Sequence, residues 1–258
     1  AVFSFELVPP LKGGDINKIY EAIEPLITLA PPFINITFHR DEVVYREYPD
    51  GTIKKVTVTK RPGSVALAAA IMRRYNVDMV PHIVCGGATR HKIEIELIDL
   101  NFLDIENVMA LRGDPIPGER FFTPEEGGHQ YSCELVEQIT RMNHGQYLDD
   151  TLTDAVPTNF CIGVAGYPEK HYEAPNQACD IENLKKKVDA GANYIVTQMF
   201  FDNNTLYNFL YRIREKDIKV PVVAGIMPIT NAAQVARSIQ MSGCYIPARF
   251  SDRSKMTT

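Results

Sequence analysis

The chain has 258 residues, 45% hydrophobic and 23% charged, and a formal net charge of −5. That balance is ordinary for a soluble globular protein with a sizeable core, and it excludes a broad nucleic-acid-binding face, so an anionic ligand must find a local group of cations. The apolar runs are far shorter than the ~20 residues of a membrane helix, "AVFSFELVPP" lacks the basic lead of a signal peptide, and five cysteines (85, 133, 161, 179, 244) without a C-x-x-C pair argue for reduced thiols in a cytoplasm and against a disulfide framework or zinc site.

Strand-like and helix-like stretches alternate along the chain. "VFSFELV" (2–8) reads as a strand and is followed by the helical pattern "INKIYEAIEPLITLA". After "FINITF" (33–38) comes "EVVYREYPDGTIKKVTVTKRP" (42–62), which alternates in period two around Pro49-Asp50-Gly51 and predicts a hairpin inserted after the second strand. The helix "SVALAAAIMRRY" (64–75) leads to "MVPHIVC" (79–85), then to "NVMALRG" (107–113) and "NFCIGVAG" (159–166). The helix "DIENLKKKVDAG" (180–191) is expected to open at a capping Asp180 and stop at Gly191. "NYIVTQMFF" (193–201), "VPVVAGIM" (220–227) and the helical "NAAQVARSIQMSG" close the series.

Several of these strands have almost no polar alternation, as expected of parallel strands covered on both faces. Seven βα units without a shift in composition predict one domain over 1–258. No G-x-G-x-x-G follows a strand, so the dinucleotide-binding fingerprint is missing. Polar residues instead collect at the C-terminal ends of different strands: Glu6, Thr37, His82, Asp114, Tyr167 and Gln198. A (β/α)8 barrel of the TIM type builds its active site there, which makes that the expected fold. Its eighth strand is missing from the sequence as given; since the chain starts at Ala1, a truncated sequence is one expectation and a replaced strand the other.

Two local features carry alternatives. Period-two alternation sets Glu6 opposite Phe3, Phe5 and Leu7, pointing inward near the top of the barrel, where it is either an acid or a carboxylate paired with Arg or Lys. "ENVMALRGDP" (106–115) ends a buried run in charge; Asp114 could cap a following helix, or Arg112-Gly113-Asp114 could be an adhesion tripeptide of a non-catalytic interaction protein.

Taken together, "FSFELVPP", "INITFH", "VPHIVC", "ALRGD", "GYPEKH", "NLKKKVDAGANYIVTQMFFD" and "GIMPI", in this order from residue 3 to about 229, resemble the methylenetetrahydrofolate reductase family in its bacterial type, catalytic barrel only. The resemblance implies FAD at the C-terminal strand ends and reduction of 5,10-methylenetetrahydrofolate to 5-methyltetrahydrofolate by NADH or NADPH, in the one-carbon metabolism that feeds methionine synthesis. It makes Glu6 the catalytic acid, sets Asp114 beside flavin and folate, and puts Gln198 at the folate. Flavin contacts fall on Thr37, His82, Arg112, Gly113, Asp114, Tyr131, Ser132, Tyr167, His171, Asp180, Asn183, Lys186 and Lys187, with Lys185 left as a solvated neighbour. A homo-oligomer is implied as well, without a membrane or nucleic-acid partner. Three departures accompany it: Ala232 stands where many relatives carry an aromatic, the 42–62 hairpin is longer than in enteric-type enzymes, and the family's last strand is absent.

Chemical reasoning adds roles to those residues. Opening the methylene-bridged ring requires a proton on the departing amine nitrogen, and desolvation among apolar neighbours and prolines should keep Glu6 protonated. The cationic iminium left behind suits a carboxylate, and Arg112 together with a helix start near Asp114 would keep that group charged. Without a separate dinucleotide domain, NAD(P)H and folate are expected to use one pocket in turn, a ping-pong scheme. The competing enzyme is a flavin-free pterin-binding barrel, a transferase or lyase, which the colour of the pure protein distinguishes.

Overall fold

The computed structural model describes residues 2–116, 118–242 and 244–247. Contacts divide the chain into two compact units, Ala1–Ile162 and Gly163–Thr258. Seven strands, mostly parallel, alternate with helices in an α/β, TIM-like arrangement, in the order 5–7, 33–36, 78–84, 107–111, 161–166, 194–197 and 222–223. No eighth strand of this sheet occurs among the described residues, and 248–258 lie outside them.

In the first unit, β1 (Phe5–Leu7) leads through α1 (Asn17–Ile27) to β2 (Phe33–Ile36). The hairpin β3 (Glu42–Glu47) and β4 (Ile53–Val58) comes next as a separate antiparallel pair, as the period-two alternation predicts. Its turn is built on Asp50, whose carboxylate accepts from the Thr52 N–H at 3.0 Å and the Thr52 hydroxyl at 2.6 Å, and on Gly51, whose φ of +78° suits glycine. Then come α2 (Ser64–Tyr75), β5 (Asp78–Val84), α3 (Arg90–Phe102), β6 (Asn107–Leu111), α4 (Ser132–Met142) and the start of β7 (Cys161–Gly166).

The strand registers decide what faces what. Glu6 pairs with Asn35, Asn35 with Val80, and His82 with Met109, so these residues share one face of the sheet. The opposite face carries Ile34, Ile36, Met79 and Ile83, all fully or nearly fully buried. The helices answer with apolar stripes at three- and four-residue spacing: Leu67, Ala68 and Ile71; Ile93, Leu97 and Leu100; Leu135, Ile139 and Met142. Asn143, just past α4, ties that helix to the chain entering β7, accepting from the Phe160 N–H at 2.8 Å and donating to the Phe160 carbonyl at 2.9 Å.

The second unit carries the rest of β7, then α5 (Gln177–Asp189), β8 (Tyr194–Thr197), α6 (Asn203–Glu215), β9 (Val222–Val223) and α7 (Ala232–Ser242). Gly163 is required beneath the Tyr194 ring, where a Cβ would come within 2.4 Å of a ring carbon. The last strand is shorter than the apolar run "VPVVAGIM" predicts. Pro221 has no N–H, and the Gly225 N–H is taken by the Thr197 hydroxyl at 2.9 Å, so the ladder stops after two residues. Ala232 opens α7, but its side chain lies outside the described residues.

Candidate active site

Three sequence-predicted residues gather at the ends of β1, β2 and β5. The Glu6 carboxylate lies 3.8 Å from His82 Nε2, beyond hydrogen-bond reach. His82 is 7% exposed, and burial together with the nearby His39 pushes its pKa down to about 4. It is therefore neutral at pH 7, and this contact is not an ion pair. Burial among the surrounding protein raises the Glu6 pKa, the direction expected from its apolar neighbours. The same side chain keeps 60% of its surface accessible, so solvent limits the size of that effect. No Arg or Lys among the described residues pairs with Glu6, which removes the ion-pair alternative. Thr37 extends the β1–β2 ladder by one position: its N–H donates to the Leu7 carbonyl at 2.9 Å, and its hydroxyl lies 3.2 Å from His39 Nε2.

The Arg112-Gly113-Asp114 corner is continuous with the sheet. The Gly86 N–H donates to the Arg112 carbonyl at 3.1 Å, carrying the β5–β6 pairing past both strands, and the Arg112 guanidinium stands 5.0 Å from the Phe122 ring. Gly113 has φ +87°, and a Cβ there would meet Val84 Cγ1 at 2.5 Å. The half-buried Arg112 makes this a packed strand end, not a free adhesive loop, with only Asp114 exposed. Two expectations for Asp114 need correction. It caps no helix and sits at no helix start, because the next helix begins at Ser132. Its backbone carbonyl is held by Arg40 Nη1 at 3.2 Å. Sequence reasoning missed Arg40: it lies in a patternless connection between β2 and the hairpin, and only the fold brings it to residue 114.

Tyr131 and Ser132 form the entrance to α4. Tyr131 is the N-cap, its N–H donating to the Glu134 carboxylate at 3.1 Å, and Ser132 is buried as the first helical residue. The Tyr131 carbonyl lies 3.9 Å from Cys85 Sγ at the end of β5, and burial pushes that thiol up to about 12, so it is inert at neutral pH.

The second unit holds its own cluster. The Tyr167 and His171 rings meet edge to face with centroids 4.8 Å apart, and His171 Nδ1 accepts from the Glu173 N–H at 3.2 Å. Asp180 accepts from the His171 N–H at 3.0 Å. This corrects the expected cap: α5 starts at Gln177 with Asn176 as N-cap, its side chain accepting from the Cys179 N–H at 2.9 Å, and Asp180 is engaged by the preceding loop. The three lysines of the helix differ. Lys185 pairs with Asp189 one turn on, and the exposed Lys186 reaches Asn183 at 3.3 Å. Lys187 turns back to the strand end, donating to the Ala165 carbonyl at 2.9 Å with its Nζ 5.9 Å from the Tyr167 ring centre. Half-buried Gln198, just past β8, continues the ladder through its N–H to the Gly166 carbonyl at 2.8 Å and turns its side-chain oxygen to the Met199 N–H at 2.9 Å.

Among the described residues no group of three or more His, Cys, Asp or Glu side chains is arranged to hold a metal ion, and no helix is long and apolar enough to cross a membrane. A solved Clostridium thermocellum protein, described as binding two copies of 5-methyl-5,6,7,8-tetrahydrofolic acid, superposes with a TM-score of 0.53 over 100% of this chain and 76% of its own; at 12% identity it shares the fold. Saccharomyces cerevisiae methylenetetrahydrofolate reductase 2 is 32% identical over 254 residues, 97% of this chain but 38% of that protein. The chain thus spans about two-fifths of the yeast relative's length. Salmonella typhimurium 5,10-methylenetetrahydrofolate reductase is 29% identical over 248 residues, 96% of this chain and 71% of its own. The family model described as methylenetetrahydrofolate reductase matches residues 1–257, and the chain belongs to that family.

Proposed function

We propose that this chain reduces 5,10-methylenetetrahydrofolate to 5-methyltetrahydrofolate with NADH or NADPH, working as a cytoplasmic, homo-oligomeric flavoprotein in one-carbon metabolism. The observation that carries the reading is Glu6: a strand-end carboxyl whose pKa is raised by burial, without a cationic partner and beside a neutral histidine. Partial desolvation moves that carboxyl in the direction a general acid requires, and its accessible surface leaves it open to a substrate.

FAD fits the residues present. Within the second unit, Lys187 and Lys186 supply cations suited to a diphosphate and the paired Tyr167 and His171 rings offer an aromatic edge. Arg112, Thr37, His82, Tyr131, Ser132, Asp180 and Asn183 are the further contacts the family implies. When bound, the flavin would supply the two-electron hydride chemistry. The chain's own task is protonic and electrostatic. Glu6 delivers a proton from its carboxyl to the amine nitrogen that leaves as the five-membered ring opens. Asp114, exposed at its corner, offers negative charge to the iminium that results, and Gln198 presents an amide for orienting the pterin. His82, neutral and buried, places no positive charge beside Glu6, where one would favour loss of its proton.

The test is direct. Purified protein should carry a flavin spectrum that NADH or NADPH bleaches anaerobically and methylenetetrahydrofolate restores, with 5-methyltetrahydrofolate as product. Colourless protein that binds a pterin would support the flavin-free barrel instead. Parallel initial-rate lines are expected for substrates that use one pocket in turn; intersecting lines would overturn that order.

A further inference from the structure

Three residues are given a part in the folate chemistry, and the fold secures them differently. Glu6 lies within β1, and Gln198 continues the β7–β8 ladder through its N–H. Asp114 lies beyond the sheet: the Gly86 bond carries the β5–β6 pairing only as far as Arg112, and no helix follows until Ser132. Among the described residues one hydrogen bond holds Asp114, from Arg40 Nη1 to its carbonyl at 3.2 Å.

Two features bring Arg40 there. Three residues earlier, Thr37 ties the connection to β1, its N–H donating to the Leu7 carbonyl at 2.9 Å. The Arg40 side chain then runs beside the glycine pair at the end of β5. A Cβ on Gly86 would come within 3.2 Å of Arg40 Nη1 and 3.3 Å of Phe122 Cε2, and one on Gly87 within 3.7 Å of Arg40 Cβ. Half-buried Arg40 thus occupies room that a side chain at 86 would contest. The bond goes to the backbone and not to the carboxylate: Asp114 makes no salt bridge with Arg40 or with any other cation among the described residues. A close ion pair would offset that negative charge. A bond to the carbonyl fixes the residue and leaves the charge to act on a ligand.

We propose that Arg40 is a positioning residue for the folate half of the reaction, holding Asp114 where its carboxylate meets the iminium formed as the ring opens. The assignment rests on the folate reading of the site and on the part given to Asp114 there. Arg40 itself needs no contact with the substrate. Its effect runs through placement, because stabilisation of a developing charge depends on where the carboxylate stands when the charge appears. A misplacement of about 1 Å can cost about a hundredfold in rate, so loss of one charge-assisted tether on an exposed residue should cost about tenfold. A bond to a single oxygen does not use the planar fork of the guanidinium, so a lysine ammonium can replace it.

The experiment follows flavin absorbance by rapid mixing of the reduced, flavin-loaded protein with saturating methylenetetrahydrofolate. Arg40→Met keeps an unbranched stem beside the glycines and removes the donors. It should slow reoxidation about tenfold, and Arg40→Lys should stay within about threefold of wild type. Both should bind FAD within about twofold of wild type in equilibrium dialysis, since the tether carries no flavin contact of its own. Asp114→Asn should slow the same step. Adding Arg40→Met to it should cost less than about a further twofold, because the charge that Arg40 places is already gone. Losses that multiply in the double variant would make Arg40 an independent structural support and overturn the assignment. Arg40→Met at the wild-type rate, or with FAD affinity reduced about tenfold, would also overturn it while the folate reaction stands. Asp114→Asn at the wild-type rate would remove the part given to Asp114, and that of Arg40 with it. Wild-type flavin that NAD(P)H reduces and methylenetetrahydrofolate fails to reoxidise would overturn the folate reading itself.

Discussion

His82 and Glu96 make opposite demands on pH. Folded His82 titrates near 4 and an ordinary histidine near 6.5, so the unfolded chain takes up that proton first. The stability this residue contributes is complete above about pH 6.5 and is lost as pH falls through about 4, up to about 3 kcal/mol at ~1.4 kcal/mol per pH unit. Glu96, half-buried on α3, runs the other way: burial raises it to about 7, so its contribution is complete below about pH 4.5 and is lost as pH rises through 7. Between pH 4.5 and 6.5 the two slopes oppose each other. Urea titrations should therefore show Glu96→Gln more stable than wild type at pH 7, by up to about 3 kcal/mol, and falling more steeply on acidification; identical profiles would contradict the assigned shifts. Lys187 is the second test at this scale. Its ammonium is anchored on the Ala165 carbonyl and the exposed Lys186 is not, so Lys187→Ala should weaken FAD retention by about tenfold, roughly one charge-assisted pair at a half-buried site, and Lys185→Ala should leave it unchanged. Equilibrium dialysis with apoprotein reads both.

At the level of elements, sequence pattern was legible where period and turn chemistry agree. The hairpin, its Pro49-Asp50-Gly51 turn and the helical run at 64–75 can be read from alternation and spacing alone, but α3, α4 and α6 were not read that way. Helix starts were harder. Asp180 looks like a cap because it precedes the amphipathic run, but Gln177, Ala178 and Cys179 are acceptable in a first turn, and Asn176 competes three residues earlier. Asn176→Ala should accordingly cost about 1 kcal/mol of stability in urea unfolding, whereas Asp180→Ala should act mainly through the His171 loop. The Asp114 corner misled in a related way, since a charged residue after a strand resembles a cap although no helix follows until Ser132. Arg40 left no local signal, because its partner is 74 residues away. At the same corner, Gly113→Ala would combine a positive φ with a contact of 2.5 Å on Val84 and should destabilise by about 2 kcal/mol or more; an unchanged urea midpoint would contradict that geometry.

For the molecule as a whole, an acidic chain of alternating strands and helices places its polar residues at strand ends contributed by distant parts of the sequence. Single-sequence reading reached the strand-end set because the apolar strands stop sharply at polar residues. It could not assign protonation, which depends on how the sheet face carrying Glu6 and His82 is shielded. Proton donation by Glu6 is the central claim, and the two halves of the proposed reaction separate it cleanly. In Glu6→Gln, rapid-mixing flavin absorbance should show reduction by NAD(P)H within about tenfold of wild type, or ~1.4 kcal/mol, because no proton from residue 6 is needed. Reoxidation by methylenetetrahydrofolate should slow by at least about a hundredfold, the usual contribution of a general acid. Equal slowing of both halves would contradict the account, making Glu6 a residue that holds the pocket together and leaving the proton to come from another group.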